Sequence, residues 1–370
     1  MSSFCITGGR IWDGSRFMEG NLFWDDGGRI QALGDVASPG KAGPLTETGA
    51  LGKAARLADY VFDAAGALVC PGLVDVHTHF KGISTDLYGM QAEMACFPFG
   101  VTAAADCGAE FGSRKELDNM MVKNVVFAAV PIRNNTADLT AAEENVQKFG
   151  DKTIGLKVYF DHEVADTVPL KQVCQYARRL GLKVMVHCSD QSSVSMADTL
   201  NVLSKGDILT HMYHGGPCCG AVDDFSSLQK ARERGIILDT GCAGYVHTDF
   251  AVLKKAVEQG VLPDTISSDI TKLSAYVRGG RYGLTLCMSM FKTLGVPEEK
   301  ILRAVTLDAA AALGQNWGHL SVGGPADITV LRYGNQPYSL TDREGNTMED
   351  RKGYECVLTV SGGQIVYRSL

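Results

Sequence analysis

The feature that most constrains this 370-residue chain is a recurring unit, a short apolar segment followed by a helix-length amphipathic stretch, which appears eight times. The segments are LVDVHTH at 73, VTAAADC at 101, NVVFAAVP at 124, IGLKVYF at 154, KVMVHC at 183, DILTHMYH at 207, GIILDTG at 235 and TISSDI at 265. Near-continuous apolar strands of this kind belong to a parallel sheet covered on both faces. Between the fourth and fifth, Leu170, Val173, Cys174, Ala177 and Leu180 recur at helical spacing, and Gly181 offers a stop. Eight such units in about 240 residues suit an α/β fold of the (β/α)8, TIM-barrel type. A doubly wound open sheet would carry a glycine-rich phosphate loop after its first strand, and none follows LVDVHTH.

The flanks read differently. Residues 3–70 are short strands with turn signals, and residues 326–369 return to that pattern in ADITVLRY and ECVLTVSGGQIVYRS. The expected organisation is a small β-sandwich domain built from both termini, 1–70 plus 316–370, enclosing a barrel over 71–315. The stretch 37–58 has few large apolar residues and reads as a mobile loop, and the charged 341–353 reads as a solvated one.

Composition narrows the class. With 45% hydrophobic and 21% charged residues the chain reads as soluble and globular, and a net charge of −7 leaves no basic footprint for nucleic acid or anionic membrane. The longest apolar run, VVFAAVPI at 125, is too short to span a bilayer. The start, MSSFCITGG, lacks the basic and apolar segments of a secretion signal. Eleven cysteines without pairing rhythm suit a reducing compartment, so the reading is cytoplasmic.

In a barrel of this type the C-terminal strand ends carry the chemistry. The polar residues there are His77 and His79 on strand one, Lys157 on four, His187 on five, His211 on six and Asp269 on eight. Strict alternation in PGLVDVHTHF would place Asp75, His77 and His79 on one face and Val74, Val76 and Thr78 on the other. Imidazoles and a carboxylate converging on one point are what Zn2+ or a similar divalent ion prefers. Four of the chain's 8 histidines sit at these ends, whereas a core built for stability would have to find each of them a partner. His214, an odd step beyond His211, would face the other way if the strand continued. Cys188, next to His187, should point away from the metals. His162, His247 and His319 fall in loops, and Cys218 and Cys219 match no zinc spacing.

The ordered set PGLVDVHTH, GVTAAADCGAEFG, IGLKVY, VMVHC, GDILTHMYHGG, ARERGIILDTG and DTISSDI, followed by TLDAAAALG and GGPADITVL, resembles the amidohydrolase superfamily, and within it the amidohydrolase/deacetylase metallohydrolases related to dihydroorotases. The resemblance implies two divalent metal ions, most simply Zn2+. His77, His79 and Asp269 would hold one and His187 and His211 the other, bridged by Lys157 carboxylated on its amine. It also implies hydrolysis by a metal-bridging hydroxide, with Asp269 accepting the proton and delivering it to the leaving group. Ser267 and Ser268 would then be supporting residues.

The substrate implied is a small molecule bearing a carboxylate, an N-acyl amino acid or acyl hydroxy acid, with cyclic amides of the dihydroorotase or hydantoinase kind as the alternative and a non-catalytic scaffold as the third. Self-association into a homo-oligomer stays open. Dihydroorotases carry an arginine two residues after the second histidine, where this chain has Lys81. Arg133, Arg278 and Arg281 are further anion-binding candidates, and His214 a possible substrate contact. After strand seven the chain departs from its relatives with GCAGYVHTDF, so their substrates do not transfer.

Overall fold

The computed structural model describes residues 2–34, 58–85, 87–161, 164–243, 246–277 and 282–369. The expected mobile loop at 37–58 lies outside these residues, apart from Ala58, as do His162, Arg278 and Arg281.

Seven parallel strands, Leu73–Thr78, Val101–Ala109, Lys123–Val130, Thr153–Phe160, Lys183–Cys188, Ile208–Thr210 and Ile237–Leu238, pair in chain order. The eighth segment, expected as a strand, closes the ring through single bridges, Asp239 to Thr265 on one side and Thr78 to Ile270 on the other. Its side chains add further ties: Thr265 Oγ1 and Ser267 Oγ donate to the Asp239 carboxylate at 2.6 and 2.7 Å, and Ser268 Oγ donates to Asp75 at 2.5 Å. These buried hydroxyl-to-carboxylate bonds stand beside backbone bonds such as Cys242 N to the Ser267 carbonyl at 3.1 Å and Ala243 N to the Ser268 carbonyl at 2.9 Å. The fold is a TIM-type barrel.

The outer layer forms as the periodicity implies. Helix Val168–Leu180 buries Leu170, Val173, Cys174 and Ala177 and stops at Gly181, whose left-handed φ of 68° suits a residue without Cβ. Leu180, expected on the buried face, is exposed. Inside the barrel, Val74, Val76, Ala105, Cys107, Phe127, Met185 and Ile208 share one cluster, closed at the strands' N-terminal end by helix Leu307–Leu313.

An eight-stranded sheet from both termini stands beside the barrel. Its order is Gln364–Arg368, Gly353–Ser361, Ile328–Gly334, Leu68–Pro71, Ser3–Trp12, Phe17–Asp25 and Ile30–Gly34, with Tyr60–Asp63 also paired to Ser3–Trp12. Ile6, Leu22 and Trp24 from one end share a core with Ile328, Leu358 and Val360 from the other. No helix among the described residues is long and apolar enough to cross a membrane, and all eleven cysteines are free.

Candidate functional site

The first strand does not alternate strictly. Its register against Val101–Ala109 slips between Asp75 and Thr78, a bulge that re-aims the chain. Val74 and Val76 therefore lie in the inner cluster, and His77 and His79 follow them inward instead of opposing them. Asp75, expected beside the histidines, instead accepts from Ser268 N at 3.1 Å and Ser268 Oγ. Two more site residues depend on left-handed backbone, His211 at φ 66° and Asp269 at φ 48°. Each such residue costs on the order of 1–3 kcal/mol, a strain found mostly at functional positions. The seventh strand end yields to His211: a Cβ on Gly241 would meet His211 Nδ1 at 2.4 Å, so only glycine fits there.

Two groups of side chains result. His77, His79 and Asp269 offer ligand atoms within 4.8 Å of one another, and so do His187, His211 and His247. Lys157 joins them, its Nζ 3.0 Å from His77 Nε2 and 3.5 Å from Met185 Sδ of the barrel's inner cluster. The rings are close: His77 to His211 is 5.2 Å between centroids and His187 to His211 is 4.3 Å.

The hydrogen bonds around the rings fix which nitrogen faces inward. His211 Nδ1 donates to the Gly241 carbonyl at 2.8 Å. Ser84 Oγ donates to Asp106 at 2.9 Å, and Thr210 Oγ1 donates to Asp239 at 2.7 Å. Each hydroxyl oxygen then accepts from a ring, His79 Nδ1 at 3.1 Å and His77 Nδ1 at 3.0 Å. Such partners hold a ligand imidazole in one tautomer with Nε2 unprotonated. Burial pushes the Asp106 carboxyl up to about 6, still ionised at neutral pH and able to accept.

The inward face fits divalent metal. His79 Nε2 lies 3.0 Å and His77 Nε2 3.4 Å from Asp269 Oδ1, so lone pairs face a carboxylate, which a cation between them would relieve. His211 Nε2 is buried with no hydrogen-bond partner among the described residues, and so is His247 Nδ1. Burial, reinforced by the Lys157 charge, pushes His77 down to about 4. Burial and the neighbouring His247 push His187 and His211 well below the usual imidazole range. All three are then neutral at pH 7, the ligand form. Burial alone would raise the Asp269 carboxyl, and positive charge at His77 and His79 would hold it well below the usual carboxylate range; with those rings neutral, a cation between them would supply that charge. Lys157 is fully buried with no carboxylate within salt-bridge distance among the described residues, and desolvation lowers its amine.

A cavity of about 500 Å3 opens over these groups, with His79, Tyr159, His187, His247 and Asp269 on its wall. His247, expected in a surface loop, stands 4.7 Å from His187 and 4.2 Å from His211 between ring centroids. Its signal in the sequence was the departure GCAGYVHTDF itself. Of the proposed substrate contacts, Lys81 is exposed and off the cavity wall, and Arg133 lines a separate depression with Gln172 and Arg179. His214 is buried elsewhere, its Nδ1 donating to the Gly215 carbonyl at 2.7 Å and its Nε2 3.6 Å from Cys188 Sγ. The cavity's arginine is Arg343, from the segment expected to be a solvated loop.

The comparisons with known proteins agree with this geometry. The chain is 27% identical over 333 residues to a deacetylase of Agrobacterium fabrum, covering 83% of this chain and 81% of that one. Among solved structures it is similar to a dihydroorotase (TM-score 0.80, 22% identity, 99% of both chains) and to an adenine deaminase (TM-score 0.78, 21% identity, 100% of both chains). Such a likeness shows a shared fold and leaves the substrate open. The sequence profile of the amidohydrolase family matches residues 68–366, a span that takes in every barrel strand carrying a site residue, and the chain is therefore a member of that family.

Proposed function

We propose that this protein is a metal-dependent deacylase that cleaves an amide or ester bond of a small carboxylate-bearing molecule, an N-acyl amino acid or acyl hydroxy acid. One observation carries the reading: unprotonated ring nitrogens, among them the Nε2 of His211 with no partner among the described residues, gather with Asp269 and with a buried lysine that has no ion pair among the described residues, beneath a cavity lined by His79, His187, His247 and Asp269. The deacetylase relative supports the reaction type. His77, His79 and Asp269 would hold one divalent ion and His187 and His211 the other, with His247 a third imidazole beside the second pair. Ions held there, most simply Zn2+, supply a lowered pKa for water and a polarised scissile carbonyl.

The chain's own residues do the rest. Asp269 takes the proton of the attacking water and returns it to the leaving nitrogen or oxygen, double duty that suits an ionised carboxylate on the cavity wall. Lys157 supplies an anionic bridge once carboxylated: the neutral amine's lone pair bonds to the carbon of CO2 and the amine gives up one proton. Its burial favours the neutral amine this step needs. Thr210 and Ser84 keep His77 and His79 oriented through Asp239 and Asp106.

A panel of N-acyl amino acids, acyl esters and cyclic ureides tests the proposal. Metal-replete protein should turn over the acyclic acyl compounds best, and a chelator should abolish that activity. Best turnover on the cyclic ureides would assign the cyclic-amide chemistry instead, and inactivity on the whole panel would refute the hydrolase reading.

A further inference from the structure

Arg343 reaches the cavity from far outside the barrel. It lies at the turn of a hairpin between Tyr338–Thr341 and Thr347–Asp350. Its neighbour Asp342 is only 3% exposed and accepts from Phe250 N at 2.8 Å, Asn346 N at 2.8 Å and Asn346 Nδ2 at 2.9 Å. The hairpin is thereby pinned to the start of helix Phe250–Glu258, three residues beyond His247. A tip anchored by a buried carboxylate holds its next side chain in a defined place.

That side chain is the one lysine or arginine among the described residues of the cavity wall. One terminal nitrogen pairs with Asp190, which lies on the same wall. The Arg343 side chain is 43% exposed, and its remaining donors meet no partner among the described residues. A guanidinium presents five N–H donors in a planar fork matched to a carboxylate. With one edge held by Asp190, the other is left for a second oxyanion.

We propose that Arg343 is the recognition site for the substrate's carboxylate, with Asp190 orienting the fork. This rests on the hydrolase reading above and sharpens it. The molecule that fits carries its acyl bond at the histidines and its acid group at the hairpin. Lys81, which occupies the position where dihydroorotases carry an arginine, takes no part.

The test compares an N-acetyl amino acid with its carboxamide, in the parent protein and in Arg343→Gln, with thermal melting to confirm that the variant folds. The parent should prefer the acid. Arg343→Gln should cut that preference by roughly 10–100-fold, mainly through KM, the scale of a lost charge-assisted hydrogen bond. Arg343→Lys should recover part of it. Because Arg343→Gln also leaves Asp190 unpaired, the double variant with Asp190→Asn is the control: lasting loss supports recognition by Arg343, and full recovery overturns it. An unchanged preference in Arg343→Gln overturns it too. So does a parent that favours the carboxamide or an amine-bearing analogue, which Glu110 and Asp161 on the same wall would suit. If neither compound is turned over, the hydrolase reading has failed by itself. Calorimetric affinity for the N-acetyl amino acid, parent against Arg343→Gln, then decides the subsite alone: weaker binding by the variant supports it, and equal binding overturns it.

Discussion

Asp269→Asn should lower turnover of an amide substrate by roughly two to four orders of magnitude, the usual scale for losing a positioned general acid–base group. Bound metal should change far less, because asparagine keeps the shape and one oxygen ligand. The substitution is also gentle on the backbone: Asp269 sits at φ 48°, a left-handed conformation that asparagine tolerates better than most residues. What disappears is the ionised oxygen beside His79 Nε2 at 3.0 Å and His77 Nε2 at 3.4 Å. An activated ester, whose leaving group needs little protonation, should suffer less than an amide. Steady-state rates on both substrates, with metal content measured on the same samples, make the check. Parent-level turnover of the amide would remove Asp269 from the proton transfer.

Lys157→Ala should cost metal and activity together. Removing residues that merely orient a ligand usually costs 10–100-fold in affinity or activity, so losing a bridging ligand should cost roughly a hundredfold or more. Lys157 is completely buried, against His77 Nε2 and Met185 Sδ, so alanine leaves a cavity where the bridge would stand. A short carboxylic acid added to the variant should enter it and restore part of both properties. In parent protein prepared with 13C-enriched CO2, a carbamate carbon resonance should appear and should be missing from the variant. Two metals bound beside an unmodified Lys157 would refute the carboxylated bridge.

How far the site could be read from the sequence depended on where each residue sits. His77, His79, His187, His211 and Asp269 stand at or just past the ends of barrel segments, where apolar runs announce the strand and the polar residue announces its end, and Lys157 is the one cation within the apolar run of its strand Thr153–Phe160. Alternation favoured His211 over His214, and the structure separates them by another device. The strand stops at Thr210, and the left-handed turn at His211 sends the two rings apart. The same rule misplaced Asp75, because a bulge one residue long reverses every face after it. His247 escaped because it stands in irregular chain after the seventh strand, where no periodicity marks a direction. Asp106 and Asp239 sit inside apolar segments, and nothing local says that they hold hydroxyls behind His79 and His77. Arg343 is the extreme case. A charged run reads as solvated unless one knows that Asp342 caps a backbone N–H 92 residues earlier in the chain.

The fold was more legible than its closure. Seven strands formed where apolar runs foretold them, because burial on both faces leaves little freedom in such segments. TISSDI did not become a regular strand: it leaves extended backbone at Asp269, φ 48°, and three of its hydroxyls bind buried carboxylates on neighbouring segments.

Metal content set against activity decides whether the site works with two ions. Elemental analysis of fully active protein should find about two divalent ions per chain, most simply zinc, and activity should fall with their removal by chelator and return in step as they are restored. Full activity with one ion or none would contradict the two-metal site.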